Sequence, residues 1–301
     1  MKLAAIDIGS NAVRLLISEV SVDDKKIASF TKVSLVRVPL RLGFEVFENG
    51  EISTHKSELL MYTMKAYINL MKAYQVKYVK AIATSAMREA SNSSEVIAMV
   101  KKETGIEIEV VSGSDEAAFI YENHVAENLD KEHSYLYIDV GGGSTELTFL
   151  SNNKLIFKDS FDIGTIRLLK NKVSDAAWDE MKDNIKNKTK GHKEVIAIGS
   201  GGNINKVYSL SKRKDTKPLP LELLRDFYKE LSNVSLSERI HIYKMREDRA
   251  DVIVPALLIY VNVMKWSGAS EIYVPKIGLA DGLVQHLWEE VKEKVSPGNT
   301  Q

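Results

Sequence analysis

The sequence predicts an α/β protein made of two similar halves. Strand-like and helix-like segments alternate along both halves, which favours α/β layers over an all-helical or all-strand core. A glycine-rich turn occurs twice, each time after an apolar strand pattern. The first copy is Asp7-Ile8-Gly9-Ser10-Asn11 and the second is Asp139-Val140-Gly141-Gly142-Gly143-Ser144-Thr145. With 301 residues the chain is long enough for two domains of ordinary size.

In the first half, residues 2–20 read as a hairpin around the first turn, because the apolar run 13–20 follows it. Residues 27–40 read as a further strand. The stretch 53–74 carries Leu59, Leu60, Tyr62, Met64, Tyr67, Ile68 and Met71 at helical spacing, with Ser53 or Thr54 as N-cap. Residues 76–83 are strand-like and run into Thr84-Ser85-Ala86-Met87-Arg88. A short helix over 94–104 is closed by Gly105, and 106–111 read as a strand. Ser112-Gly113-Ser114-Asp115-Glu116-Ala117 opens a helix expected to reach about Leu129.

The second half repeats the theme. Residues 135–150 form a hairpin around the triple glycine, 154–163 a strand and 174–190 a helix. Residues 195–198 form a strand that delivers Gly199-Ser200-Gly201-Gly202-Asn203. Helices are expected over 219–232, 236–246, 249–266 and 279–295, with Pro255 at a bend or helix start. A last strand is expected at 272–275. The polar stretch 126–133 is the expected boundary between domains 1–127 and 128–301, with the terminal helix 283–295 free to pack back on the first domain.

Composition narrows the classes. The chain is 44% hydrophobic, and its mean hydropathy is that of a globular protein. No apolar run is expected to approach the ~20 residues that span a bilayer, and the early Asp7 is unlike a signal peptide, so no membrane partner is expected. Cysteine is absent, which fits a reducing cytoplasm. Lys plus Arg and Asp plus Glu number 41 each, which argues against a general nucleic-acid binder. The segment 182–217 is locally basic, and reads either as a solvated face or as a landing strip for a polyanion.

A strand that ends in Asp-x-Gly and turns back suits phosphate: glycines let backbone N–H groups approach an anion, and the Asp can hold a cation or a water. Two such hairpins followed by the loop 199–203 resemble the actin, sugar-kinase and Hsp70 superfamily. Within it, the chain resembles the exopolyphosphatase and guanosine pentaphosphate phosphohydrolase (Ppx/GppA) family. The motifs that carry this, in order, are Asp7–Asn11, Ala83–Ala90, Ser112–Ala117, Ile138–Leu147, Ile163–Leu168, Gly199–Gly202 and Arg249–Pro255. The resemblance runs from residue 3 to about 285. It implies two similar ribonuclease-H-like (actin-like ATPase) domains around an interdomain cleft, and Mg2+-dependent release of terminal phosphate from inorganic polyphosphate or guanosine pentaphosphate.

Individual residues then acquire expected roles. Glu116 opens a helix after a Ser-Gly turn. It either stabilises the helix N-terminus or takes a proton from attacking water, and the resemblance favours the base. Asp139 and Glu146 flank the triple glycine. Two carboxylates with phosphate oxygens and waters suit Mg2+, which takes few protein ligands. Arg14 and Arg88 offer planar forks for phosphate, although Arg14 reads equally as a solvent-facing strand residue. Ser10, Asn11, Gly141, Gly142, Gly143, Ser144 and Thr145 offer donors to phosphate, and also suit a tight turn. Gly201 lies in a loop that either binds nucleotide or simply turns a strand into a helix. Arg249 either faces the cleft or pairs with Asp248 or Asp251. Thr165 and Arg167 match a family segment with no role derivable from the residues.

Two departures qualify the resemblance. The family's late Gly-Leu-Arg-acid-Gly-Leu pattern has Ala280 in place of arginine. The additional C-terminal helical region of longer members is lacking, which shifts expectation toward shorter substrates. A homodimer, a kinase and a non-catalytic nucleotide-binding scaffold stay open as alternatives.

Overall fold

The computed structural model describes residues 1–121, 132–192, 194–214, 217–275 and 277–295. The expected boundary at 126–133 falls largely outside these residues. By its internal contacts the chain divides into two units: residues 1–112, 118–123 and 279–301 in the first, and residues 113–117 and 124–278 in the second.

The first unit begins with a meander of β1 (Lys2–Ile8), β2 (Val13–Val22) and β3 (Ala28–Val38). Helices α1 (Leu42–Asn49) and α2 (Thr54–Ala73) follow. Next come β4 (Tyr78–Ala83), α3 (Ser85–Glu89), α4 (Ser93–Thr104), β5 (Ile108–Val110) and α5 (Gly113–Tyr121), whose first residues belong to the second unit. The sheet order is β3-β2-β1-β4-β5, antiparallel through β1, β2 and β3 and parallel from β1 to β4 and β5. Helix α2 starts where Ser53 accepts a hydrogen bond from the Lys56 N–H at 3.2 Å, and buries Leu60, Met64, Tyr67 and Met71 on one face.

The second unit repeats the plan with β6 (Ser134–Val140), β7 (Thr145–Ser151) and β8 (Lys154–Phe161), then α6 (Thr165–Leu169), α7 (Asp175–Thr189) and β9 (Val195–Ser200). Helix α8 (Gly202–Ser211), β10 (Leu219–Pro220), α9 (Leu221–Ser232), α10 (Leu236–His241), α11 (Glu247–Ala250), α12 (Ile253–Ser267) and β11 (Glu271–Tyr273) complete it. Among the described residues its sheet runs β8-β7-β6-β9-β11-β10. An antiparallel meander continued by parallel strands thus occurs in both units, which is the ribonuclease-H-like plan.

The expected helix 249–266 is broken. Helix α11 ends at Ala250 and α12 starts at Ile253, which puts Pro255 in its first turn. A proline lacks the N–H that a helix interior needs, so the helix must restart just before it. The expectation of no membrane-length run is corrected too: by length and composition the stretch Glu247–Ser267 could cross a bilayer. In the fold it is the core of the second unit, with Ile253, Leu257, Tyr260, Val263 and Met264 buried beside Leu136, Phe149 and Ile272. Full burial of each such side chain is worth roughly 1.5–3 kcal/mol. Helices α1, α3 and α6 are not anticipated by the sequence; with 8, 5 and 5 residues they are too short for a clear helical period.

The closing helix α13 (Leu279–Val295) belongs to the first unit and packs Leu283, Val284 and Leu287 against Leu3, Leu16 and Ile82. Ala280 lies buried in that cluster, and Asp281 pairs with Lys32 at 2.8 Å.

Candidate functional site

The second Asp-x-Gly turn is framed by an unusual pairing. In the β6–β7 hairpin Asp139 stands directly opposite Glu146. Directly opposed residues of an antiparallel pair share a sheet face, and like charges there repel. A third carboxylate joins them: one oxygen each of Glu116, Asp139 and Glu146 lies within 4.8 Å of the others. Glu116 and Glu146 are buried, 6% and 2% exposed. Three carboxylates that are all ionised and this close need a cation or a proton among them. The donor set is all oxygen, which fits a hard cation of the Mg2+ kind and not a soft metal.

Local sequence explains the gathering. Glu116 sits in the first turn of α5, which can lie against β8 because position 113 is glycine. A Cβ on Gly113 would fall inside the Ser160 side chain. Ser160, opposite Glu146 in the β7–β8 pair, donates its hydroxyl to Glu146 Oε1 at 2.9 Å. Ser160 is a site residue that the sequence reading missed; its place opposite Glu146 becomes legible only once the β7–β8 register is known.

The triple glycine lies beside these acids, and all its carbonyls face α6. The Gly141 carbonyl accepts from the Thr165 N–H at 3.1 Å and the Thr165 hydroxyl at 3.3 Å. The Gly142 carbonyl accepts from the N–H groups of Ile166 at 2.8 Å and Arg167 at 3.4 Å. The Gly143 carbonyl accepts from Arg167 Nε at 2.6 Å. In a trans peptide the C=O and N–H point in opposite directions. The N–H groups of Gly142, Gly143 and Ser144 therefore point away from α6. Three successive donors aimed one way make a concavity for an anion. Gly164 permits this packing, since a Cβ there would overlap the Gly142 carbonyl. Thr145 closes the turn, its hydroxyl donating to the Ile163 carbonyl at 2.5 Å.

The end of β9 borders the same turn. Gly201 has φ 101°, and a Cβ on it would stand 3.0 Å from Asp139 Oδ1, so the position needs glycine on both counts. The buried Tyr260 donates its hydroxyl to the Ser200 carbonyl at 2.6 Å. Burial, and then the charge of Asp139, push that hydroxyl well above the ordinary tyrosine range, so it stays a donor. Arg249 lays its guanidinium over Gly202, 2.7 Å from where a Cβ would be. Lys206, one turn along α8, is held below the usual lysine range by burial and by the charge of Arg249.

The remaining predicted residues belong to the first unit, around the first turn. Arg14 stands opposite Asp7 in the β1–β2 hairpin and pairs with it at 2.5 Å. The Ser10 hydroxyl, 2% exposed with its residue, lies 2.8 Å from Ser85 Oγ and accepts from the Ala86 N–H at 3.1 Å, which ties it to the start of α3. The Ser10 and Asn11 carbonyls accept from the N–H groups of Gly43 and Arg41. Arg88 donates to the Val111 carbonyl at 2.8 Å. The acids, the triple glycine and Gly201 thus come together in one unit, while Ser10, Asn11, Arg14 and Arg88 lie in the other.

Comparison with known proteins places this geometry. A model of the Ppx/GppA phosphatase family matches residues 20–290. A bifunctional 3-dehydroquinate synthase/phosphatase of Fusobacterium nucleatum is 29% identical over 97% of this chain and 47% of its own length. Exopolyphosphatase 1 of Mycobacterium leprae is 24% identical over 94% of this chain and 88% of its own length. The chain therefore spans less than half of the Fusobacterium relative. Among solved structures, the Ppx/GppA family member of Aquifex aeolicus is 25% identical with a TM-score of 0.74, over 96% of this chain and 98% of that one. An exopolyphosphatase of Cytophaga hutchinsonii has a TM-score of 0.80 at 24% identity over the same shares, a likeness of fold.

Proposed function

Because this chain belongs to the Ppx/GppA phosphatase family, we propose that it is a phosphoanhydride hydrolase that releases the terminal phosphate of linear inorganic polyphosphate. The observation that carries the reading is the opposition of Asp139 and Glu146 with Glu116 beside them, next to a turn whose N–H groups face one way. Asp139 and Glu146 would hold Mg2+. The ion would neutralise charge that develops on the phosphate oxygens.

The chain's own residues account for the rest. The N–H groups of Gly142, Gly143 and Ser144 hold the terminal phosphate oxygens through charge-assisted bonds. Glu116, buried on a helix start, orients a water and accepts its proton at the carboxylate. Glu146 is itself oriented by the Ser160 hydroxyl. Gly201 keeps room beside Asp139, so the carboxylate is not displaced by a side chain. In the first unit, Arg88 and the turn at Ser10, Asn11 and Arg14 are the proposed further phosphate contacts. Phosphoryl transfer needs positioning and charge stabilisation more than covalent chemistry, which suits this set.

A second substrate, guanosine pentaphosphate, is favoured by one observation: two cationic groups, Arg249 and Lys206, gather at the glycine loop after β9. The test is phosphate release with Mg2+ from long polyphosphate, tripolyphosphate, guanosine pentaphosphate and ATP, with Glu116→Gln as control. Release from a nucleotide-free chain, lost in the variant, supports the polyphosphate reading. Release from guanosine pentaphosphate alone moves the substrate to the nucleotide, and equal rates in both proteins would refute the role of Glu116.

A further inference from the structure

We propose that Arg167 is a positioning residue for the anion-binding turn: by holding the Gly143 carbonyl it fixes the direction of the Ser144 N–H. The inference rests on the phosphatase reading and deepens it. Gly141, Gly142 and Gly143 have no Cβ to oppose a peptide flip, and at the Gly143–Ser144 peptide only the Ser144 side does. A flipped peptide would present a carbonyl to the anion in place of an N–H. A receptor for phosphate therefore needs something outside the turn to set each peptide.

The structure supplies that device in two parts. The Gly141 and Gly142 carbonyls are held by backbone N–H groups of Thr165 and Ile166, which almost any residues could provide. The Gly143 carbonyl is held by a side chain, Arg167 Nε at 2.6 Å. That side chain is only 11% exposed, and its terminal nitrogen lies 3.5 Å from the exposed Asp162 carboxylate. The first turn makes the contrast. There the carbonyl at the equivalent place, Asn11, is held by the Arg41 backbone N–H at 3.1 Å. In the second turn, one of the three donor directions thus depends on the identity of a single residue. The five-residue helix α6 binds no anion itself in this account; it acts only through the carbonyls it captures.

The role predicts a selective loss. Affinity for the nonhydrolysable imido analogue of tripolyphosphate is measured by calorimetry for wild type, Arg167→Met, Arg167→Lys and Asp162→Asn, and Mn2+ affinity is measured on the same proteins. Arg167→Met and Arg167→Lys should each bind the analogue about tenfold more weakly, the cost of one charge-assisted donor. Asp162→Asn should stay within about twofold, since an exposed pair contributes little. Mn2+ affinity should be the same in all four, because the carboxylates are untouched. Should Arg167→Met fail to fold, Arg167→Lys decides. Unchanged analogue binding in the Arg167 variants would overturn the proposal, as would equal losses of analogue and Mn2+, which would mark a merely structural role. Failure of the wild type to bind the analogue would instead sink the phosphatase reading beneath it.

Discussion

The two hairpins of this protein share a backbone plan and differ in one charge. In the first, Asp7 faces Arg14; in the second, Asp139 faces Glu146 at the same spacing. Opposite charges across an antiparallel pair satisfy each other, whereas like charges do not. In the first hairpin the aspartate is therefore neutralised within the hairpin, by an arginine whose side chain stays 33% exposed. The second is left with an acidic pair, joined by Glu116, that calls for a cation. The parallel extends to a supporting tyrosine. Tyr67 donates to the Val13 carbonyl in the first unit and Tyr260 to the Ser200 carbonyl in the second. Each is pushed above the usual tyrosine range by burial, and next by the aspartate of its own turn. Two turns of common design thus differ in that one carries an opposite-charge pair and the other a cluster of three carboxylates.

The largest effect expected from breaking this contrast is on chemistry. Glu116→Gln should retain polyphosphate binding while turnover falls by about a hundredfold or more, read as phosphate release at saturating substrate. Moving Glu116 should also be damaging: Gly113→Ala forces α5 off β8, and Mn2+ affinity and turnover should fall together in the same preparation. Arg14→Met leaves the nearly inaccessible Asp7 carboxylate without its ion pair. The expected cost is about 2 kcal/mol in urea unfolding, since a half-exposed arginine tempers the penalty of a fully buried pair. Ser10→Ala removes the bond to the start of α3 and should cost about 1 kcal/mol in the same experiment.

Much of this architecture was legible in the sequence. Both Asp-x-Gly hairpins stood out because an apolar run, a glycine turn and a second apolar run leave few other solutions. Helix α2 announced itself through apolar period and a cap at Ser53 or Thr54, and α7 was legible as a helix over 174–190, with the cap at Ser174 visible only in the fold. The closing helix was readable over its whole length, Leu279–Val295. What the sequence concealed was chiefly backbone business. The role of Thr165 and Arg167 depends on α6 folding back on the triple glycine, and α6 is too short to show a period. Gly113 looks like any turn glycine until β8 is placed against it. The break at Asp251–Val252 was signalled by Pro255, but apolar continuity through Val252, Ile253 and Val254 masked it. The contrast between Arg14 and Glu146, each seven residues after its aspartate, was present in the spacing all along, and needed only each hairpin's register to be read.

The most direct test of the central claim is a calorimetric titration of Mn2+ into wild type and Glu146→Arg, which gives the second hairpin the charge pattern of the first. One ion is expected per wild-type chain and none in the variant, with the variant's metal-free thermal midpoint raised because a like-charge cross-strand pair becomes an opposite-charge one. Equal Mn2+ binding by the two proteins would contradict the assignment of Asp139 and Glu146 as the cation's holders.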